Sequence, residues 1–226
     1  MASRVAVDHS VAVAPREDGK VKLINETARQ QIAAAIKAVE SKTSGELVTV
    51  IAPAADDYIY IPTLVAALIA LVTPAVLGLT QYVIAAEHSY LIQIVSFLFF
   101  TAMFRWQPLT MLLIPKRVKY QRAHRVAMEQ FFAQNLHHTE KRNAVLIFVS
   151  AAEHYVEIIA DKGINDHVSN DAWQVIVGKF IADIKARRIA DGFVNAVNAC
   201  GEHLQQHYPA DQTNQNELAN HLIVLD

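Results

Sequence analysis

The chain has 226 residues, 53% of them hydrophobic, with a mean hydropathy of +0.19 and a formal net charge of −2. That charge balance argues against a nucleic-acid partner, and the lone Cys200 excludes an intrachain disulfide and fits a reducing compartment. Outside its apolar middle about 170 residues remain, enough for one domain with a sizeable core.

Residues 1–24 read as an N-terminal extension. They open with MASRVAVDHS, which has no apolar h-region and no small-residue cleavage site. Asn25 is expected to cap a helix that carries Ile32, Ala35, Ile36 and Val39 on one face and ends in the polar run Ser41 to Ser44 and Gly45. A strand follows over 46–52, β-branched and mostly apolar as a strand covered on both faces would be. Glu46, just ahead of that apolar run, is expected at the surface beside a lysine. Residues 25–57 thus form the first part of a soluble domain.

From Pro62 to Phe104 there is no Lys, Arg or Asp, and Glu87 is the single acid. Residues 58–115 are therefore expected to form a transmembrane helical hairpin, broken by the polar residues Thr80-Gln81 and Glu87-His88-Ser89. Ile59 to Leu79, about 21 residues, covers roughly 30 Å of hydrocarbon. Pro74 lies deep in that span, where a kink is expected. Tyr90 to Phe104 is too short, so the second helix is expected to run on toward Ile114, kinked at Pro108, with Arg105 snorkelling.

Arg105, Lys116, Arg117, Lys119, Arg122 and Arg125 crowd one end of the hairpin, and the turn at 80–89 has no Lys or Arg. The basic end, and both termini with it, are expected on the cytoplasmic side. Tyr58, Tyr60, Arg105, Trp106, Lys116, Arg117 and Lys119 are the expected interface anchors, with Tyr82 and Tyr90 at the far side. Ala66, Ala67, Ala70 and Gly78 permit close helix contact.

The soluble domain resumes over 116–208. A basic, then apolar, helix is expected from Lys116 to Leu136. Two strands, Ala144 to Ser150 and Tyr155 to Ala160, have hairpin spacing, and a loop follows over 161–167. A helix capped near Asn170 carries Trp173, Ile176, Val177, Phe180, Ile181 and Ile184 at helical spacing, and a last helix from Gly192 to His207 buries Phe193, Val194, Val197 and Leu204. Cys200 falls in that apolar pattern and reads as a buried structural thiol. Residues 209–226 form a tail, a polar linker Asp211 to Asn216 followed by apolar 221–225, for which the pattern alone supplies no docking site.

Asp161, Asn165, Asp166 and His167 gather oxygen ligands around Gly163. Asp161 and Asp166 are the candidate ligands for Ca²⁺ or Mg²⁺, although Asp, Asn and Gly are equally what turns and caps use. Adjacent His137 and His138 read as loop residues. His203 and His207, four apart on one helix, read as a polar face. No Gly-Lys-Ser/Thr phosphate loop, Gly-x-Ser-x-Gly elbow, Cys-x-x-Cys pair or His-Glu-x-x-His helix occurs in the sequence.

Thr43-Ser44-Gly45-Glu46 ahead of the first strand, the strand 143–150, the step from Ile158 to Ile164 and the run from Arg188 to Gly192 together resemble the TPM domain family. The resemblance runs from about Asn25 to Pro209. It extends to the hairpin, since a branch of bacterial members is similar in carrying two hydrophobic helices after the first strand. It implies an α/β/α sandwich around a central sheet of about four strands, as alternating strands and amphipathic helices also require.

Plant members of the family are discussed as weak acid phosphatases that bind divalent metals and as helpers in photosystem repair, and bacterial members mostly lack an assigned activity. Many members carry Gly-Tyr-Gly-Leu-Glu where this chain has residues 161–165, so Asn165 replaces the motif's acid. The favoured expectation is a non-catalytic interaction or assembly module at the bacterial inner membrane, with the lipid bilayer and a membrane-protein client as partners. The alternative is a weak divalent-metal-dependent acid phosphatase.

Overall fold

In the computed structural model, which describes residues 24–79, 86–186, 188–210 and 221–225, Asn25 caps the first helix as its sequence requires. Its side chain accepts from the Ala28 N–H at 2.8 Å, and α1 (Glu26–Glu40) buries Ile32, Ile36 and Val39 on one stripe. The chain divides into two units, residues 1–55 with 120–226, and residues 56–119.

The first unit is built on a four-stranded sheet: β1 (Leu47–Ala52), β2 (Val145–Ser150), β3 (Tyr155–Ala160) and β4 (Leu222–Val224), in the order β3-β2-β1-β4. β1 pairs parallel with β2 from Leu47↔Val145 to Ala52↔Ser150, and β2 pairs antiparallel with β3. All six residues of β1 and all six of β2 are buried, as expected of strands covered on both faces. The apolar tail supplies β4, parallel to β1 at Thr49↔Leu222, so the docking site that its pattern did not reveal is the open edge of β1.

Helices cover both faces. On one, α1, α7 (Asn170–Lys185) and α8 (Ile189–His207) enclose Leu47, Ile51, Val145, Ile147 and Trp173 in a single core. On the other, α5 (Lys116–Ala133) lays Ala123, Ala127 and Phe131 against Val48, Val50, Leu146 and Phe148. Gly201 lets α8 approach α1, since a Cβ there would lie 2.6 Å from Val39 Cγ1. Cys200 is fully buried and the apolar surroundings push its thiol up to about 12, the inert state expected of it.

Several boundaries differ from the sequence reading. Ser169, not Asn170, caps α7, and the run from Arg188 to Gly192 opens α8 rather than preceding it. The segment after β3 is not a plain loop: Asp161 caps a one-turn helix, α6 (Lys162–Asn165). α5 ends at Ala133, where Asn135 takes a left-handed backbone (φ 55°) ahead of a 3₁₀ turn at Leu136–His138.

In the second unit α2 (Tyr60–Gly78) is one helix of 19 residues, long and apolar enough to cross a membrane. It is a continuous helix through Pro74. Next to that proline, Thr73 Oγ1 bonds the Ile69 carbonyl at 2.7 Å and lies 3.2 Å from Ser96 Oγ on α3 (Ala86–Met103). Pro62, Ala66 and Ala70 form the buried stripe of α2, whereas Ala67 and Gly78 are exposed.

The second helix does not run on to Ile114. It stops at Met103, and α4 (Gln107–Leu113) leaves at 104° to it. Pro108 sits in the first turn of α4, where its missing N–H costs nothing, so it starts a new helix instead of kinking the old one. α3 and α4 together have the composition of a span only as this bent pair. Residues Thr80 and Gln81 of the expected turn, Tyr82, the N-terminal 23 residues and the linker 211–216 lie outside the described residues.

Candidate functional site

The strand-end segment expected to hold a metal is built from four elements. Asp161 leaves β3 buried (5% exposed), accepts the Lys162 N–H at 2.7 Å and receives a two-pronged ion pair from Arg142, Nε to Oδ2 at 2.6 Å and Nη2 to Oδ1 at 3.0 Å. Gly163 packs under the preceding turn. A Cβ there would stand 2.6 Å from both the Lys141 and the Arg142 carbonyl oxygens, while its N–H bonds the Arg142 carbonyl at 2.9 Å.

Asp166 ends α6 and is exposed, and its charge, after burial, is the second cause holding the Tyr208 hydroxyl above its usual value. Asp161 is therefore engaged by a guanidinium that a divalent ion would have to displace. Among the described residues no group of three or more His, Cys, Asp or Glu side chains is arranged to hold a metal. The donor set does not fit a Ca²⁺ or Mg²⁺ centre at this loop, where hard cations take six or more oxygens.

Beside this loop lies a pair of buried carboxyls, Glu40 and Glu46. Glu46 is 3% exposed, not a surface group. Glu40, at the last turn of α1, accepts the Leu47 N–H at 3.1 Å through Oε1, and its Oε2 is buried without a hydrogen-bond partner among the described residues. Desolvation pushes Glu40 up to about 8, opposed by the Leu47 N–H and reinforced by the negative charge of Glu46. Lys141 Nζ and Asn143 Nδ2 close this end of the sheet on Ser44, at 3.3 Å and 2.9 Å. A protonated Glu40 can serve as a hydrogen-bond donor at neutral pH. What the cluster does in the folded chain is tie the ends of α1, β1 and β2 together.

A second polar group on the α5 face gave no signal in sequence. Glu157 is fully buried in β3, and its oxygens lie 2.9 and 3.0 Å from His124 Nδ1 on α5, while the Tyr155 hydroxyl donates to Oε2 at 3.0 Å. The carboxylate orients the imidazole as in any Glu–His pair. Nothing in the pattern of β3 singles Glu157 out, and only the partner 33 residues earlier reveals why a carboxyl is tolerated there.

Several other histidines pack against rings. His207 stacks on His167 at 5.1 Å, His203 meets the edge of Trp173 at 5.8 Å, and His137 packs against Phe132. Of the expected interface anchors, Tyr60 and Trp106 are exposed, as are Arg105, Lys116 and Arg117. Lys119 is partly buried and donates to the Met111 carbonyl at 3.0 Å. Tyr58 departs from the expectation: its ring is 4% exposed, turned inward by a left-handed backbone (φ 50°) that the Asp56 carboxylate stabilises by accepting the Tyr58 N–H at 3.1 Å.

The outward faces of the second unit are apolar. Leu64, Leu68, Leu71 and Val72 on α2 and Leu98 and Phe99 on α3 each expose more than half of their surface. A contiguous apolar surface of this kind marks contact with lipid or protein.

With that geometry in place, comparison with known proteins shows what the chain is similar to. The model of the TPM domain matches residues 108–203, from α4 through most of α8. The NMR structure of the BA42 protein from the psychrophilic bacterium Bizionia argentinensis is similar in fold, with a TM-score of 0.58 and 18% identity over 92% of this chain and 99% of that one. No curated protein matches the chain. The mixed α/β architecture with its four-stranded sheet is thus TPM-like.

Proposed function

We propose that this chain is a membrane-anchored TPM-like protein in which a two-span hairpin holds the α/β unit at the cytoplasmic face of a bacterial inner membrane. There the unit serves as a non-catalytic interaction or assembly module for membrane proteins. One observation carries the reading: a 19-residue uncharged helix, 17% buried over its most apolar window, is inserted between β1 and the rest of an otherwise ordinary α/β unit. A core helix of a soluble protein would be covered by its own chain. The engagement of Asp161 by Arg142 supports the non-catalytic part.

Topology is the test. In a Cys200→Ala background, Ser89→Cys should react with an impermeant maleimide in spheroplasts and Glu140→Cys should react only after lysis. Labelling of Glu140→Cys before lysis would invert the topology. Affinity capture of the full chain from detergent extracts should return a membrane protein that the hairpin alone does not. Acid phosphatase turnover that needs Ca²⁺ or Mg²⁺ and is lost in a folded Asp161→Asn, Asp166→Asn double variant would replace the interaction module by a hydrolase.

A further inference from the structure

The hairpin unit encloses a cavity of about 370 Å³, lined by Asp57, Tyr58, Thr63, Thr101, Arg105 and Thr110 with apolar walls from Ile59, Pro62 and Phe104. Its lining includes Phe104 and Arg105 at the break between α3 and α4, and its size is at the lower end of small-ligand sites. Its polar groups sort by hydrogen-bond sign. Thr63 Oγ1 gives its proton to the Ile59 carbonyl at 2.7 Å and Thr110 Oγ1 gives its own to the Phe104 carbonyl, so both oxygens are left as acceptors. Asp57 adds a negatively charged acceptor at the mouth.

Arg105 presents donors only, and Thr101 Oγ1 is buried with no hydrogen-bond partner among the described residues. Asp57 and Arg105 are both exposed, line the same cavity, and form no ion pair with each other.

A ligand that satisfies both halves carries an anionic acceptor beside a cationic N–H donor. A phosphate meets Arg105 and Thr101, and a primary ammonium meets Asp57 and the acceptor oxygens of Thr63 and Thr110. A simple anion leaves Asp57 repelling it, and a quaternary ammonium has no N–H to give. We propose that this cavity binds the phosphoethanolamine headgroup of a bilayer phospholipid. The lipid as source rests on the membrane-anchored reading above; the headgroup chemistry rests on the cavity alone.

The test is native mass spectrometry of the full chain in mild detergent, titrated with phosphatidylethanolamine, phosphatidylglycerol and phosphatidylcholine, and in a separate arm with soluble phosphoethanolamine. Phosphatidylethanolamine should be retained about tenfold better than the other two lipids, and Arg105→Gln should cut that retention about tenfold. Asp57→Asn should abolish discrimination between the primary and the quaternary amine. Both side chains are exposed, so these variants keep the fold.

Equal retention of the three lipids, or retention unchanged in Arg105→Gln, overturns the proposal. Binding of soluble phosphoethanolamine without lipid preference overturns the bilayer as source. Flotation of the chain with phosphatidylglycerol–phosphatidylcholine vesicles separates the two readings. A chain that floats but shows no headgroup preference refutes the cavity site alone, and one that does not float refutes the anchoring.

Discussion

Glu40 is a buried acid that folding drives toward its protonated form, because desolvation outweighs the single N–H it accepts. Its folded pKa, about 8, lies above the ordinary 4.5, so the folded state binds a proton that the unfolded chain has already released between those values. The resulting destabilisation is absent below the unfolded pKa, grows as pH rises from 4.5 to 8, and is complete above. Glu40→Gln, which mimics the neutral acid, should be neutral at pH 5 and stabilise by about 1 kcal/mol or more at pH 9 in chemical denaturation of the detergent-solubilised chain. A variant with the wild-type pH slope would show that another group carries the effect.

Glu157 makes the opposite demand. His124→Ala leaves the fully buried Glu157 without its imidazole partner, keeping the Tyr155 hydroxyl, and a loss of about 1–3 kcal/mol is expected by the same measurement. At Gly163 the cost is steric: Gly163→Ala pushes a methyl into two backbone carbonyls that cannot move apart as side chains would, and should cost about 2 kcal/mol or more. A midpoint unchanged in Gly163→Ala would mean that α6 shifts freely off the Arg142 turn. None of these three energetic roles is written in local sequence, since each depends on a partner brought up by tertiary folding.

Elements show where pattern suffices. α1, α7 and α8 were legible because an apolar stripe recurs with the helical period over four or more turns, and β1, β2 and β3 because β-branched runs are bounded by turn residues. α6 and β4 were not, because four and three residues hold too few periods to read. β4 is a strand only through its ladder with β1. The break at Phe104 to Trp106 was also hidden: Pro108 is compatible with a kink or a start, and the Thr110 hydroxyl that bonds the Phe104 carbonyl selects the start. Substituting Leu222 and Val224 by Asp should release β4, lower thermal stability and leave the edge of β1 open to aggregation, read as a temperature-dependent rise in light scattering. An unchanged melting curve would mean that β4 adds nothing to the sheet.

At the scale of the whole molecule, composition separated an apolar middle from α/β flanks, and the structure divides the chain at residues 56 and 119. The candidate site was less legible than the fold. Asp161 and Asp166 were found as acids near a glycine, but nothing in the local pattern ties the first to Arg142, 19 residues earlier. The cavity draws on three separate stretches, 57–63, 101–105 and Thr110, so no linear pattern announces it.

The parallel pairing of β1 with β2 has a consequence for synthesis. Leu47 and Val145 are neighbours in the sheet, yet the ribosome delivers the whole hairpin between them. β1 leaves the tunnel as a mostly apolar, six-residue strand with neither flanking strand yet made, and β4, its other neighbour, is made after β2 and β3. Residues 56–119 are therefore made before the sheet can be completed. For that interval the nascent chain carries an unpaired sticky strand, a situation that calls for shielding by a chaperone.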